Sequence, residues 1–128
     1  MNWRDDILIK GLGVDLCLDA RIRERTQSEH FVQRVFIPEE IMYARNSKHP
    51  ERHFASSFAA REAFVKASGA DFFSVVFQGV WLQRQKKGIS LRLSDKIIKM
   101  DNSLSRYSFY ISISHERGMT VAVVIMEE

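Results

Sequence analysis

Pro50 and Gly69 bracket the longest stretch of this chain that one helix can occupy. Proline is pre-organised for a first helical position, and glycine accepts the left-handed backbone just past a helix end. The spacing therefore predicts a helix from Pro50 to Ser68 with Gly69 as its C-cap. Phe54, Phe58 and Val65 share one stripe of it. A second stripe carries Ala55, Ala59, Glu62 and Lys66, so small residues lead up to an acid and a base.

Around this helix the pattern changes character. Ile7 to Leu16 reads as a strand, with Ile9, Gly11, Gly13 and Asp15 on one face and Leu8, Leu12, Val14 and Leu16 on the other. Two glycines beside Asp15 imply that something approaches the backbone closely there. Short helices are expected from an Asp19 N-cap to Arg25, after Ser28, and from Pro38 to Arg45. Beyond Gly69 strands are expected over Ser74 to Arg84, Ile89 to Leu93, Tyr107 to Ser114 and Met119 to Met126, with a short helix over Asp95 to Met100. The last strand is apolar on both faces, which suits the middle of a buried sheet. His115-Glu116-Arg117-Gly118 is expected to be the loop of the final hairpin. The class is α+β, with early helices packed on a late antiparallel sheet.

A length of 128 residues suits one domain spanning 1–128, and 45% apolar with 27% charged residues is an ordinary globular composition. The excess of 19 Lys and Arg over 16 Asp and Glu gives +3. That charge suits an acidic partner or a phosphate-bearing ligand and is too small to argue for nucleic acid. A lone Cys17 needs no oxidising compartment, the charged N-terminus lacks a signal-peptide core, and the apolar run Val121 to Met126 is far too short to span a bilayer. A soluble cytoplasmic domain is the expectation.

Three places could carry chemistry: Asp15 at a strand end, Glu62 with Lys66 one helical turn apart, and His115 near a hairpin turn. Each also has a plain structural reading. Such an Asp often forms a turn, an i, i+4 acid–base pair often sits on a solvated helix face, and a histidine in a polar loop often does nothing else. One Cys and four scattered His form no zinc-ligand pattern, and Gly11-Leu12-Gly13 lacks the remainder of a dinucleotide-binding fingerprint.

Taken together the segments are more specific. Gly13-Val14-Asp15-Leu16, Phe58-Ala59-Ala60-Arg61-Glu62-Ala63-Phe64-Val65-Lys66-Ala67 and Ser112-Ile113-Ser114-His115 resemble, in order and distance, the holo-acyl-carrier-protein synthases, the small single-domain class of 4′-phosphopantetheinyl transferases. Arg21 after the Asp, and Gln33 to Phe36 with Pro38 and Glu40, extend the resemblance over nearly the whole chain.

The resemblance implies transfer of 4′-phosphopantetheine from coenzyme A to a serine of an apo acyl carrier protein, in fatty-acid biosynthesis or a related lipid pathway, with adenosine 3′,5′-bisphosphate as second product. It implies a 4′-phosphopantetheinyl transferase fold assembled as a homotrimer. Mg2+ would be held by Asp15 and Glu62, a donor set of hard oxygens that suits this ion. Glu62, Asp15 and Lys66 become the catalytic set, with Glu62 the candidate proton acceptor. Lys66, Arg61, Gly69 and His115 become contacts of coenzyme A, and Arg21 and Arg25 a basic face for the acidic carrier.

The chain departs from the family pattern close to this site. Ser56-Ser57 replaces the usual Gly-Arg before Phe58, Ala70-Asp71 replaces Thr-Gly after Gly69, and Lys87-Gly88-Ile89 stands for the Gly-Lys-Pro hairpin. The missing arginine is a phosphate ligand in the family, for which Lys48, Arg52 or His53 are the candidate replacements. A catalytically weak relative that binds a carrier protein or nucleotide as a module is the alternative these departures raise.

Overall fold

Two glycines decide how the main sheet meets the long helix. In the computed structural model, which describes residues 8–128, strand β1 (Ile9–Leu18) crosses helix α4 (Pro50–Ser68) backbone against backbone. A Cβ on Gly11 would lie 1.9 Å from the Ala67 carbonyl oxygen, and one on Gly13 would lie 1.9 Å from that of Ala63. The close approach inferred from the sequence is thus the helix itself, and Ala59, Ala63 and Ala67 form the small-residue seam that permits it.

β1 pairs with β5 (Met119–Glu127), which pairs in turn with β4 (Ser108–Glu116), so the last strand is the centre of an antiparallel three-stranded sheet. The architecture is α+β, but the sheet is not wholly late: its first strand is the first element of the chain. Ile7, the expected start of that strand, lies outside the described residues. A separate antiparallel ribbon joins β2 (Val80–Gln85) to β3 (Gly88–Leu93). Helices α1 (Asp19–Arg25), α2 (Glu29–Val35) and α3 (Pro38–Arg45) precede α4, and α5 (Phe72–Val76) and α6 (Asp95–Met100) follow it. Phe36, Phe54, Phe64, Ile22, Val124 and Leu82 are core residues around α4.

Local signals explain most boundaries. Ser28 accepts the Phe31 N–H as a side-chain N-cap, Pro38 and Pro50 occupy the first turns of α3 and α4, and Gly69 closes α4 at φ 72°. Three expectations need correction. The segment from Ser74 is first a helix: the Asp71 carboxylate accepts from the backbone and hydroxyl of Ser74 at 3.0 and 2.8 Å, starting α5, and the strand begins only at Val80. Asp19 is not the cap of α1. It lies inside the first turn, buried, and accepts a hydrogen bond from Thr120. His115 belongs to strand β4, paired with Thr120, because a turn at Arg117-Gly118, both at positive φ, suffices to reverse the chain.

The outer face of the sheet is apolar and uncovered: Leu12 is 61% and Leu16 62% exposed, with Val14 and Leu18 beside them. The inner face carries the glycines, Asp15 and Cys17.

Candidate active site

Because α4 rides directly on Gly11 and Gly13, the next inward residue of β1 meets the helix one turn earlier. That residue is Asp15, and it is nearly buried. The Lys66 ammonium donates to the Val14 carbonyl at 2.9 Å and to Asp15 Oδ1 at 3.3 Å. Glu62, one turn before Lys66, faces the same carboxylate. Burial pushes the Glu62 carboxyl up to about 7; Asp15 adds to the rise, while Lys66 and Arg25 oppose it. Burial, with Asp15 and Glu62 among the contributing charges, also raises the Cys17 thiol to about 11, which keeps it protonated and unreactive.

Asp15 and Glu62 are the residues that could hold a divalent cation. Among the described residues no group of three or more His, Cys, Asp or Glu side chains has metal-binding geometry. Two carboxylates alone form an open donor set. It fits an ion that keeps waters and takes phosphate oxygens, as magnesium does, rather than a closed cage. The cleft beside them holds about 210 Å³ and is lined also by Arg21 and Arg25 of α1, Phe58 and Phe72. The two arginines expected to form a basic face therefore flank the carboxylate pair, whereas Arg23 is paired with Glu51 at 3.2 Å.

A second cavity of about 400 Å³ lies toward the start of α4, between Tyr43, His53, Ser56, Arg84, Lys86 and His115. Arg84 reaches in from β2. Its guanidinium lies 4.3 Å from the centre of the Tyr43 ring, donates to the His53 carbonyl at 3.0 Å, and stands 3.5 Å from Ser57 Oγ. No carboxylate of the described residues pairs with it. Burial lowers the pKa of His53 and of His115, and the positive charges of Arg84 and Arg52 act in the same direction. A half-buried guanidinium and an ammonium without a carboxylate partner among the described residues, beside two imidazoles, make a pocket for an anion.

Arg61 is elsewhere. Its side chain is fully buried and makes paired hydrogen bonds to Glu40, Nη1–Oε2 at 2.7 Å and Nη2–Oε1 at 2.6 Å. It also donates to the carbonyls of Ser57, Val35 and Val76, while Glu40 accepts from the N–H groups of Ile37 and Leu82. This pair ties α2, α3, α5 and β2 to α4 and leaves Arg61 no N–H for a ligand. Its assignment as a coenzyme A contact is therefore corrected: neighbouring positions on a helix point about 100° apart, so Glu62 faces the cleft while Arg61 faces the core. Gly69 has open space where a Cβ would stand, so its left-handed cap conformation accounts for it. Asp71, which stands where the family has glycine, is occupied as the α5 N-cap. Sequence reasoning missed Arg84, whose strand carries no motif, and it offered Lys48, Arg52 and His53 in its place.

Known proteins place this fold and sequence in one family. The family model described as the 4′-phosphopantetheinyl transferase superfamily matches residues 11–123. Holo-[acyl-carrier-protein] synthases from Pelagibacter ubique and a Clostridium botulinum strain are 34% and 35% identical, each alignment covering 94% of this chain and 98% of the relative. The crystal structure of the Neisseria meningitidis holo-[acyl-carrier-protein] synthase superposes with a TM-score of 0.82 at 26% identity, covering 94% of this chain and 100% of that one. The Helicobacter pylori enzyme in complex with coenzyme A gives 0.73 at 26% identity, covering 91% and 99%. The chain belongs to the 4′-phosphopantetheinyl transferase superfamily and, within it, to the holo-[acyl-carrier-protein] synthases.

Proposed function

We propose that this chain transfers 4′-phosphopantetheine from coenzyme A to a serine hydroxyl of an apo acyl carrier protein, with Mg2+ as cofactor and adenosine 3′,5′-bisphosphate as second product. The observation that carries this reading is the meeting of Asp15 and Glu62 at one cleft, with Lys66 bonded to Asp15, in a chain of this family. The serine oxygen attacks the phosphorus that bears the pantetheine arm, and the pyrophosphate P–O bond to the nucleotide breaks. A magnesium ion held by Asp15 and Glu62 would neutralise charge on the phosphate oxygens. Glu62 accepts the serine proton directly or through a water. Lys66, held by the Val14 carbonyl and Asp15, offers its charge to the pyrophosphate.

The cavity at Arg84 and His115 takes the nucleotide end of coenzyme A, whose 3′-phosphate is the remaining anion. Ser57 lies five residues before Glu62, roughly 8 Å along a helix axis, a span compatible with one ligand crossing both sites. Arg84 stands against Ser57, where the family has arginine, and so supplies from β2 the charge that α4 lacks. This removes the main reason to read the chain as a binding module without turnover.

Arg21 and Arg25 dock the acidic carrier protein beside Glu62. The exposed apolar face of β1 supports a homotrimer in which copies cover one another's sheets, and the free, buried Cys17 fits a cytoplasmic enzyme of one domain. No helix of the described residues is long and apolar enough to cross a membrane.

Intact mass spectrometry of an apo acyl carrier protein incubated with this protein, coenzyme A and magnesium tests the reading. The expected result is a mass gain of one phosphopantetheine, abolished by a chelator and by Glu62→Ala. No gain on any of several carrier proteins, with coenzyme A bound, overturns it in favour of the module.

A further inference from the structure

Asp19 is a buried carboxylate that the reaction above does not use. Its Oδ1 accepts from Thr120 Oγ1 at 2.7 Å, and Thr120 Oγ1 lies 2.9 Å from His115 Nδ1. Thr120 is fully buried and Asp19 nearly so. A threonine hydroxyl has one proton to give, and a carboxylate can only accept. With that proton committed to Asp19, the hydroxyl can only accept from the imidazole, so His115 must carry a proton on Nδ1 in its neutral form. The remaining nitrogen, Nε2, lies on the cavity side, 3.3 Å from Ser56 Oγ, whose hydroxyl donates to the Arg52 carbonyl at 2.9 Å, so the shorter contact at Nδ1 decides where the single proton sits.

We propose that Asp19 is a positioning residue: through Thr120 it holds one proton on His115 Nδ1 and leaves Nε2 to take a second and donate it to an anionic oxygen in the cavity beside Arg84. In identifying that anion as a phosphate of the coenzyme A nucleotide, the inference rests on the function proposed above. The charged groups around the ring are arranged for this. Arg52 of α4 and Arg84 of β2 disfavour the imidazolium, while Asp19 favours it, and Glu116 and Arg117 border the small cavity behind the ring. A phosphate arriving between Arg84 and His115 cancels the two repulsive charges, and Nε2 then takes a proton and donates it to the ligand. A second partner that sets which ring nitrogen is free is the arrangement seen where histidines ligate metals, here turned toward an anion.

Nitrogen-15 NMR of His115, with and without adenosine 3′,5′-bisphosphate, tests this without turnover. In the native protein above the histidine pKa, the proton is expected on Nδ1. Thr120→Val removes the acceptor, and Asp19→Asn frees the Thr120 hydroxyl to donate. Both should move the proton toward Nε2 and take away the acceptor that supports a second proton. A neutral N–H then meets the bisphosphate where the native protein offers an imidazolium, and binding should weaken by about tenfold, the difference between a charge-assisted and a neutral hydrogen bond. Combining them should cost little more than either alone, and Thr120→Ser should keep both tautomer and affinity. A native His115 protonated on Nε2 overturns the proposal, as does unchanged bisphosphate affinity in folded Thr120→Val and Asp19→Asn. A protein with the expected tautomer that transfers no phosphopantetheine refutes the proposed function and leaves the relay standing. Transfer with the opposite tautomer does the reverse.

Discussion

Gly13 and Ala63 meet through their backbones, and this contact sets the distance between the two carboxylates of the candidate site. A Cβ at Gly13 would stand 1.9 Å from the Ala63 carbonyl oxygen and 2.8 Å from the Ala67 amide nitrogen. Neither neighbour is a flexible side chain that could step aside.

Gly13→Ala should therefore displace α4 from β1. A loss of about 3 kcal/mol or more is expected, at the upper end for overpacking a core. Because Asp15 and Glu62 ride on the separated elements, transfer activity should fall further than the folded fraction. Urea unfolding alongside the carrier-protein assay checks both; a stable, fully active variant would show that the contact is dispensable.

The stability of the metal-free protein should depend on Glu62. Its pKa rises from 4.5 in the unfolded chain to about 7 in the fold. The folded state thus binds the proton more tightly, and that stabilisation is complete below pH 4.5 and lost as pH rises through 7. Thermal midpoints of native protein should decline across this window, while Glu62→Gln should be flatter there. Magnesium should offset the decline in native protein only. The same variant should lose about 10² to 10⁴ in rate if Glu62 is the proton acceptor.

Arg61→Met should destabilise the fold rather than the coenzyme A complex. It strands Glu40 in the core. Burial alone would raise that carboxyl, but the Arg61 charge and the hydrogen bonds from Arg61, Ile37 and Leu82 hold it below its ordinary value. Breaking one side of such a pair costs about 3–5 kcal/mol. Denaturation midpoints should drop, whereas the KM for coenzyme A of the folded fraction should hold. The opposite pattern would return Arg61 to the ligand.

Arg84→Met keeps an apolar stem against Tyr43 and removes the charge. The preference for coenzyme A over dephospho-coenzyme A should fall about tenfold, the worth of one charged hydrogen bond. Ser57→Arg in that background should recover part of it. An unchanged preference would mean that the 3′-phosphate lies elsewhere.

Leu16→Glu places a charge on the exposed apolar face of β1. Sedimentation velocity should report monomers in place of trimers. A native protein that sediments as a monomer would remove the trimer from the reading.

How much of this was legible in the sequence depends on how local each feature is. Prolines at helix starts, Ser28 as a cap, Gly69 at a helix end and the doubly apolar last strand act through neighbouring residues, so the chain declares them. The association of Asp15, Glu62 and Lys66 was legible as ordered segments that resemble a family. Other assignments needed the tertiary structure. The family resemblance carried Arg61 over as a ligand contact, and only its pairing with Glu40, 21 positions away, places its guanidinium in the core. Asp19 read as a cap because its partner, Thr120, lies 101 positions away on β5. Arg84 carried no signal until β2 brought it to Ser57. A side chain's identity states what it can bond. Only the packing of distant segments, with the desolvation it imposes, decides whether that capacity is spent in the core or kept for a ligand.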